Sequence, residues 1–412
     1  DLSMTVPRPI PACDVLVVGG GPAGSATAAF LARAGHSVLI VDRAAFPRDK
    51  ACSEYMSPEA VRILARLGVL EALERAGAHP LEGMKVTGPR GATAHGKFAL
   101  AGHAPFRPCG LSISRLTLDQ QLLGAARAAG ARVLERHCVE DVQQEAGMVV
   151  GALIRDESGC RHTVRARLTV GADGLRSVVS RVLGGRRRGH SQRIAFVAHV
   201  AGVADMGPSA ELHFRDRAYL GLNPIGHEQT NVALVVPSAR ARHAREGLEQ
   251  FFSNTLREFP GVRERVEAGQ VVRPILATGP FAVRSRRVIA PGALLVGDAA
   301  DFFDPATGDG IYCALRGAEL VAESVADGLR RPGPVGIDAL AAYPLMRRRA
   351  FSAKWALERL LEYALRFPRL FDRGISGLGR HEGMAHTVIG LAGGFVPLRS
   401  VFNPFFLARM VL

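Results

Sequence analysis

The 412-residue sequence has few cysteines and shows no pattern among them. Zinc sites and small disulfide-bonded domains both need closely spaced cysteines, so the sequence predicts neither a metal site nor a disulfide framework. A reducing, intracellular compartment is therefore favoured. The six cysteines, none of which forms a C-x-x-C pair, are Cys13, Cys52, Cys109, Cys138, Cys160 and Cys313.

The sequence also lacks a long uninterrupted apolar stretch. A membrane-spanning helix needs roughly 20 apolar residues, and no window of this chain provides them. The first apolar run, VLVVGGG, leads into glycines and not into the small-residue cleavage site of a signal peptide. We therefore expect a cytoplasmic protein.

The end of the chain, TVIGLAGGFVPLRSVFNPFFLARMVL, is apolar but interrupted. Gly393, Gly394, Pro397 and Pro404 break it, so it cannot cross a bilayer as one helix. We expect it to fold back over the core or to line a large hydrophobic pocket. A peripheral membrane contact, helped by a basic surface, is the alternative.

Lysine is scarce in this basic chain. Four of the 52 lysine and arginine residues are lysines, which leaves 48 arginines, and the net charge is +14. Arginines cluster at 186–188, 284–287 and 347–349, without the zinc-finger, recognition-helix or aromatic pattern of a nucleic-acid-binding protein. We expect no nucleic-acid partner and a solvated surface at these clusters. An anionic substrate, an acidic carrier protein or a membrane face is the alternative.

The segment CDVLVVGGGPAGSATAAFLARAGHSVLIVDR, residues 13–43, predicts a strand, a tight turn, a helix and a second strand. Gly19, Gly21 and Gly24 fill the pattern G-x-G-x-x-G, which allows a tight turn, close approach of a pyrophosphate and close packing of the helix on the strand. Asp42 follows the second strand, where a carboxylate can accept both ribose hydroxyls of an adenosine. The segment therefore predicts a site for an ADP-containing dinucleotide.

Two later segments each place an aspartate after a strand-like run. They are HTVRARLTVGADGLRSVVSR, with Asp173-Gly174, and LLVGDAADFFDPATGDGI, with Gly297-Asp298 followed by P-x-x-G-x-G. With the first glycines, their order and spacing resemble the p-hydroxybenzoate hydroxylase-like flavoprotein superfamily over most of the first 330 residues. The resemblance implies an α/β fold with a Rossmann-type FAD-binding domain, a discontinuous, mainly antiparallel β substrate domain and C-terminal helices.

FAD is the cofactor that this resemblance implies. Asp298 would accept from ribityl hydroxyls, and the helix after the P-x-x-G-x-G turn would direct its amide groups at the flavin. The residues expected to bind the cofactor are Gly19, Gly21, Ala23, Gly24, Asp42, Arg43, Lys50, Arg115, Asp173, Asp298, Pro305, Gly308, Gly310 and Ile311. The superfamily carries an arginine where this chain has Ser180, with Arg181 one place later. NAD(P)H is the expected electron donor, and a separate reductase is the alternative.

The segment FPRDKACSEYMSPEAVRILARLGV resembles a flavin-covering loop of geranylgeranyl reductases and flavin-dependent halogenases. Pro47, Lys50 and Cys52 match that loop, and Ser53 replaces its glycine. Halogenases need paired tryptophans, whereas this chain has only Trp355, so halogenation is disfavoured. The reductases usually carry Tyr-x-Trp-x-Phe-Pro where this chain reads YLGLNP, residues 219–224. The apolar wall that would hold a prenyl chain is therefore expected to be missing.

The resulting leading interpretation is an FAD-dependent monooxygenase of specialised metabolism. A flavin C4a-hydroperoxide would hydroxylate or epoxidise an aromatic, polyketide or alkene-type substrate. The alternative is a geranylgeranyl-reductase-like enzyme that saturates C=C bonds, in which Cys52 is the candidate proton donor. A flavin-fold binding protein without turnover is disfavoured by the intact glycines. The candidate pocket residues for a hydrophobic or aromatic substrate are Tyr55, Phe106, His213, Tyr219, Asn223 and Phe303.

The order of these segments also predicts a domain organisation. Residues 12–80, 111–185 and 284–330 form the predicted FAD-binding domain. Residues 81–110 and 186–283 form the predicted substrate-binding domain, which includes the alternating strand QTNVALVVP. Residues 331–412 form a C-terminal helical and apolar segment.

Overall fold

A computed structural model describes residues 10–190, 192–215 and 217–411 of the chain. The strands of the described residues are β1 (Cys13–Val18), β2 (Val38–Val41), β3 (Tyr55–Met56), β4 (His79–Leu81), β5 (Gly83–Thr87), β6 (Thr93–Lys97), β7 (Gly110–Ser112), β8 (Arg132–Leu134), β9 (Cys138–Glu145), β10 (Met148–Arg155), β11 (Arg161–Gly171), β12 (Arg186–Arg188), β13 (Arg193–Ala201), β14 (Ala210–Arg215), β15 (Ala218–Pro224), β16 (Gln229–Pro237), β17 (Gln270–Thr278), β18 (Val283–Ser285), β19 (Ile289–Ala290), β20 (Ala293–Leu295) and β21 (Asp301–Phe302).

The α-helices lie between and after these strands. They are α1 (Pro22–Arg33), α2 (Pro58–Leu67), α3 (Leu70–Arg75), α4 (Arg115–Ala128), α5 (Val179–Val182), α6 (Ser238–Ala241), α7 (Leu248–Leu256), α8 (Pro260–Glu267), α9 (Gly310–Arg330), α10 (Ile337–Leu340), α11 (Ala342–Ala364), α12 (Pro368–Arg380), α13 (Glu382–Ala392) and α14 (Pro404–Val411).

The first sheet has a parallel centre in the order β20-β11-β1-β2-β8. The residues Val15 to Val18 of β1 are almost entirely buried, because apolar clusters cover both faces of the sheet. On one face the core is formed with α1, α2, α4 and α9. A parallel sheet that is covered on both faces selects continuous apolar strands, so the Rossmann-type prediction is confirmed.

The carboxyl ends of four parallel strands lie along one edge of this sheet. Gly19 follows β1, Asp42 follows β2, Asp173 lies two residues after β11, and Asp298 lies three residues after β20. Ligands of open α/β sheets bind outside the carboxyl ends of the strands. The fold therefore brings together the three motifs that lie far apart in the sequence.

The second sheet has seven strands in the order β17-β13-β16-β15-β14-β5-β6. All neighbours pair antiparallel except β14 and β5, which confirms the mainly antiparallel prediction. Helices α7 and α8 cover one face with an apolar core. These strands come from residues 83–97 and 193–278, within the ranges predicted for the substrate domain; the domain limits themselves stay a prediction.

The C-terminal residues form helices, as predicted, and α13 lies against the edge strand β6. The backbone N–H of Lys97 donates to His386 Nδ1 at 3.0 Å. Leu391, Val396 and Val401 are buried in a small apolar cluster beyond this contact. Within the described part of the chain, no helix has both the length and the apolar character needed to cross a membrane.

Candidate active site

A cavity of about 590 Å³ joins the carboxyl edge of the parallel sheet to the second sheet. Seventeen residues that the sequence predicts for the site line it: Gly19, Gly21, Ala23, Asp42, Arg43, Lys50, Cys52, Tyr55, Arg115, Asp173, Tyr219, Asn223, Asp298, Pro305, Gly308, Gly310 and Ile311. The fold thus collects both the predicted cofactor residues and several predicted substrate residues around one space.

The glycine-rich turn is built as close packing requires. A Cβ on Gly24 would lie 1.8 Å from the carbonyl oxygen of Gly19. The start of α1 can therefore pack against the glycine-rich loop only because residue 24 has no side chain. Gly19 has a φ of +101°, which favours glycine. Gly21 is the N-cap of α1 and provides no side-chain cap, so the amide groups of the first turn remain open to an anion.

Asp42 is buried at the end of β2, and its carboxylate orders the turns on either side. Its Oδ2 accepts from the Gly20 N–H at 2.7 Å, and its Oδ1 accepts from the Ala44 N–H at 2.8 Å. Each carboxylate oxygen keeps a further lone pair for a ligand hydroxyl.

Arg115 lies at the start of α4 in a buried ion-pair network. Its guanidinium donates to both carboxylate oxygens of Asp119, at 2.6 and 2.7 Å, and Arg48 approaches the same carboxylate at 2.8 Å. Burial alone would lower the pKa of Arg115, but the Asp119 carboxylate and then the Cys52 thiol offset it, so that the pKa is raised. The network supplies fixed positive charge to the cavity.

Asp298, Asp173 and Lys50 line the cavity and have displaced pKa values. Burial raises the pKa of Asp298, and Lys50 and Arg115 oppose that rise. Burial, and then Arg115, lower the pKa of Lys50. Burial likewise raises the pKa of Asp173, whose Oδ1 is buried without a hydrogen-bond partner among the described residues. Displaced pKa values in a cleft are typical of functional sites.

The aspartates of the segment 294–311 are explained by three cations from distant parts of the chain. Arg347 donates to Asp301 at 3.0 Å, Arg193 pairs with Asp304, and Lys354 Nζ lies 2.6 Å from Asp309. Because all three cations are buried, none of these pairs is a surface contact. Asp304 also caps the turn Pro305–Thr307 by accepting from the Ala306 N–H at 3.0 Å. The pairs hold in place the turn that leads into α9.

The prediction of solvated arginine clusters is wrong for two residues. Arg347 is buried against Asp301. Arg186 is partly buried and donates to the carbonyl oxygens of Asp298 and Ala299, at 2.6 and 2.7 Å, and to that of Gly174 at 3.3 Å. It therefore joins two of the three cofactor motifs. Sequence reasoning missed it because a run of three arginines resembles a solvated surface.

Cys52 lies where the predicted cofactor groove meets the second sheet. Its Sγ accepts from the Glu54 N–H at 3.3 Å, and the Arg115 guanidinium faces the same sulfur. The thiol is half-buried and lines the cavity. It therefore lies at the junction of the cofactor groove and the second sheet, next to Arg115.

The other predicted pocket residues differ in position. Tyr219 donates to Asp304 Oδ1 at 2.5 Å, and Tyr55 packs over Gly308. Three of the six do not line the cavity: Phe106 is 49% exposed, His213 pairs with Glu211 at 2.8 Å, and Phe303 packs edge-on against Trp355. Gly24 also lies outside the lining, beneath the turn.

The apolar wall that was expected to be missing is present, built from other residues. The strands β13, β14 and β16 provide Val197, Leu212 and Val235, and Phe281 and Phe302 lie nearby. Each of these positions is an ordinary core residue in the sequence, so no local signal marks it. Asn231, which also lines the cavity, follows Gln229 and Thr230 at the polar start of QTNVALVVP, so the sequence does not mark it as a site residue.

These residues fit FAD. The groove offers open helix amides for a pyrophosphate, carboxylates for hydroxyl groups, a buried Asp173 oxygen without a partner, and glycines where a side chain would fill the space. Over the described ranges, no group of three or more His, Cys, Asp or Glu side chains is arranged to hold a metal ion.

Comparison with known proteins supports the same interpretation. The family model described as "FAD binding domain" matches residues 12–353. A menaquinone reductase of Mycolicibacterium smegmatis is 31% identical over 379 residues, covering 87% of this chain and 86% of the relative. A digeranylgeranylglycerophospholipid reductase of Methanothermobacter thermautotrophicus is 29% identical over 380 residues, covering 90% and 89%. A solved flavin-dependent brominase superposes with a TM-score of 0.79 at 23% identity, covering 93% and 94%, which shows a shared fold.

Proposed function

The chain belongs to the FAD-binding-domain family of FAD-dependent oxidoreductases, and from that premise we propose that it saturates C=C bonds of an isoprenoid substrate. The observation that carries the proposal is the position of Cys52. Its thiol lies beside the Arg115 guanidinium where the cofactor groove opens onto an apolar wall. The names of two relatives, a menaquinone reductase and a digeranylgeranylglycerophospholipid reductase, support the same reaction class.

FAD would be held along the carboxyl edge of the parallel sheet. The first turn of α1 would bind the pyrophosphate, Asp42 the adenosine ribose and Asp298 the ribityl hydroxyls. The turn from Pro305 to Gly308 and the start of α9 would lie at the flavin ring. When bound and reduced, FAD supplies a hydride to one carbon of the double bond.

Cys52 would complete the reaction by donating its proton to the second carbon. The π bond is lost and two C–H bonds form, one from the hydride and one from the thiol proton. Arg115 would stabilise the thiolate that remains, since its charge is held in place by Asp119. The apolar wall of Val197, Leu212 and Val235 would exclude water and hold the prenyl chain.

A second candidate is an FAD-dependent monooxygenase that acts on an aromatic, polyketide or alkene-type substrate. The amide oxygens of Asn223 and Asn231 favour it, since both residues line the same cavity and a plain hydrocarbon would leave these two Oδ1 atoms without partners. Both proposals include NAD(P)H as the electron donor that reduces FAD.

An exposed apolar surface near the cavity suits a lipid substrate. Leu365, at the end of α11, is buried in the cluster that forms the cavity wall, while Tyr363, Phe367 and Leu370 are 57%, 47% and 50% exposed. We propose that this surface contacts a membrane, from which the substrate would enter.

The two candidate functions are separated by the mass of the product. The enzyme, purified with FAD, is reduced with dithionite without oxygen and given 2-geranylphenol, whose double bonds dithionite itself does not reduce; a gain of two hydrogen atoms supports the reductase. A product that gains one oxygen atom, formed only when O₂ is admitted, supports the monooxygenase and contradicts the reductase.

Cys52→Ala is expected to keep its FAD and to lose most of the saturation, whereas the exposed Cys160→Ala is expected to match the parent enzyme.

A further inference from the structure

Two asparagines lie side by side on the cavity face of the second sheet. Asn223 on β15 and Asn231 on β16 are cross-strand partners, and both line the cavity. Their side chains are almost fully buried, with exposed fractions of 5% and 1%. The Oδ1 of each has no hydrogen-bond partner among the described residues. Two buried acceptors without protein partners therefore belong to one cavity wall.

The orientation of each amide is determined by the partners of its nitrogen. Asn223 Nδ2 donates to the carbonyl oxygen of Ser53 at 2.9 Å. Asn231 Nδ2 donates to the carbonyl oxygen of Cys52 at 2.7 Å and to Glu54 Oε2 at 2.9 Å. Turning either amide over would place oxygen against oxygen, so the carbonyl side of each amide is the free side.

A buried carboxylate holds this arrangement in place. Glu54 is fully buried and accepts from the Arg115 backbone N–H at 2.8 Å and from His199 Nε2 at 2.7 Å, in addition to Asn231. With all these partners in place, the amide of Asn231 cannot rotate without breaking a buried hydrogen-bond network. A buried acceptor without a partner is unfavourable, so a ligand that supplies a donor gains affinity from it.

Resting on the reductase function proposed above, we propose that the substrate carries a hydroxyl-bearing end which donates hydrogen bonds to Asn223 Oδ1 and Asn231 Oδ1. A substrate carbonyl or ether would bring an acceptor against acceptors. An ammonium group would be repelled by Lys50, Arg115 and Arg48, which line the same cavity. An amide group would supply an N–H donor, but its own carbonyl oxygen would then need a donor, which the two Oδ1 atoms cannot provide. The substrate class is therefore a prenylated alcohol or phenol.

This preference is a property of the present chain. Asn223 stands in YLGLNP where the reductases that the segment resembles usually carry phenylalanine. An amide in place of a phenyl ring exchanges apolar contact for a specific polar one. Discrimination between a hydroxyl and its methyl ether should depend on this residue.

The test is a binding measurement on the oxidised, FAD-containing enzyme, in which no turnover occurs. The probes are 2-geranylphenol and its methyl ether, and the dissociation constants are obtained from the change in flavin absorbance. The phenol is expected to bind roughly ten- to a hundredfold more tightly, because the ether leaves buried acceptors without a donor. Equal binding, or tighter binding of the ether, would overturn the proposal without any variant.

The variant Asn223→Leu is expected to lose most of this preference while it retains FAD. Asn254→Leu on the exposed face of α7 is the matched control and should discriminate as the parent does. An Asn223→Leu protein that binds FAD and still prefers the phenol tenfold contradicts the role of Asn223. If the parent prefers the phenol but, when reduced, leaves its geranyl double bonds intact, this inference stands and the reductase function fails. If the enzyme binds both probes with equal affinity and, when reduced, saturates the double bonds of both, the reductase function stands and this inference fails.

Discussion

The Lys354 ammonium lies 2.6 Å from the Asp309 carboxylate, and both side chains are buried at the start of α9. Lys354 also donates to the carbonyl oxygen of Ala392 at 2.8 Å, at the end of α13. One side chain therefore connects the turn at the predicted flavin site to the C-terminal helices. Burial raises the pKa of Asp309, and Lys354 opposes that rise.

Replacing Lys354 by methionine is expected to destabilise the protein strongly. The buried Asp309 charge would lose its partner, which typically costs about 3–5 kcal/mol of unfolding free energy. Urea unfolding followed by circular dichroism measures this loss. Lys97→Met, which removes an exposed pair with Glu82, should cost less than about 1 kcal/mol. If the double variant Lys354→Met, Asp309→Leu is no more stable than Lys354→Met alone, the unpaired charge is not the cause.

Gly24→Ala is expected to abolish FAD retention. The added Cβ would lie 1.8 Å from the Gly19 carbonyl oxygen, so α1 must move away from the glycine turn. The ratio of flavin to protein absorbance after purification reports the loss. Gly124→Ala is the control, since its Cβ meets nothing within 4 Å and its helix α4 should gain about 0.5–1 kcal/mol. Full flavin content in Gly24→Ala would show that the close packing is not required.

Acid is expected to destabilise the second sheet through Glu211. Burial alone would raise its pKa, but hydrogen bonds from His213 and Arg265 outweigh burial and hold the pKa at about 2, compared with 4.5 in the ordinary state. A depressed carboxyl pKa contributes stability above the unfolded value, and this stability is lost as the pH falls from about 4.5 towards 2. Glu211→Gln should be less stable at pH 7 and should lose less stability over that interval. Parallel pH–stability curves for parent and variant would contradict this.

The exposed residues of α11 and α12 are expected to bind anionic vesicles. Tyr363 and Phe367, whose rings lie 5.1 Å apart, are accompanied by exposed Arg366 and Arg369. The fraction of protein that sediments with phosphatidylglycerol vesicles should fall several-fold in the double variant Phe367→Ser, Leu370→Ser. It should also fall at high salt. The control is Val271→Ser, Val272→Ser, which changes an equally exposed apolar pair on β17. Binding that is weak in the parent, or equal in both variants, would remove the membrane proposal.

The cofactor half of the site was largely predictable, because its signals are local. The glycines of 19–24 and the acid after β2 occur at short spacings that a strand, a turn and a helix determine by themselves. In such segments the residue type and the backbone geometry depend on each other within a few residues.

The substrate half was not predictable in this way. Asn223 and Asn231 become functional neighbours only through strand pairing, and their amides are oriented by the loop from Cys52 to Glu54, about 170 residues away. The apolar wall consists of ordinary core residues, which the sequence does not distinguish from any other core.

The sequence by itself determined the Rossmann-type nucleotide fold and a site for an ADP-containing dinucleotide, because short-range patterns specify strands, turns and helix ends. FAD and the mainly antiparallel second sheet followed from its resemblance to a flavoprotein superfamily. Only the tertiary structure decided the rest. It decided which cation pairs with each aspartate of 301–309, that Arg347 is buried and Arg186 partly buried, and which side chains form the cavity. The physical reason is that buried charges and buried amides must find partners, and those partners lie wherever the folded chain brings them.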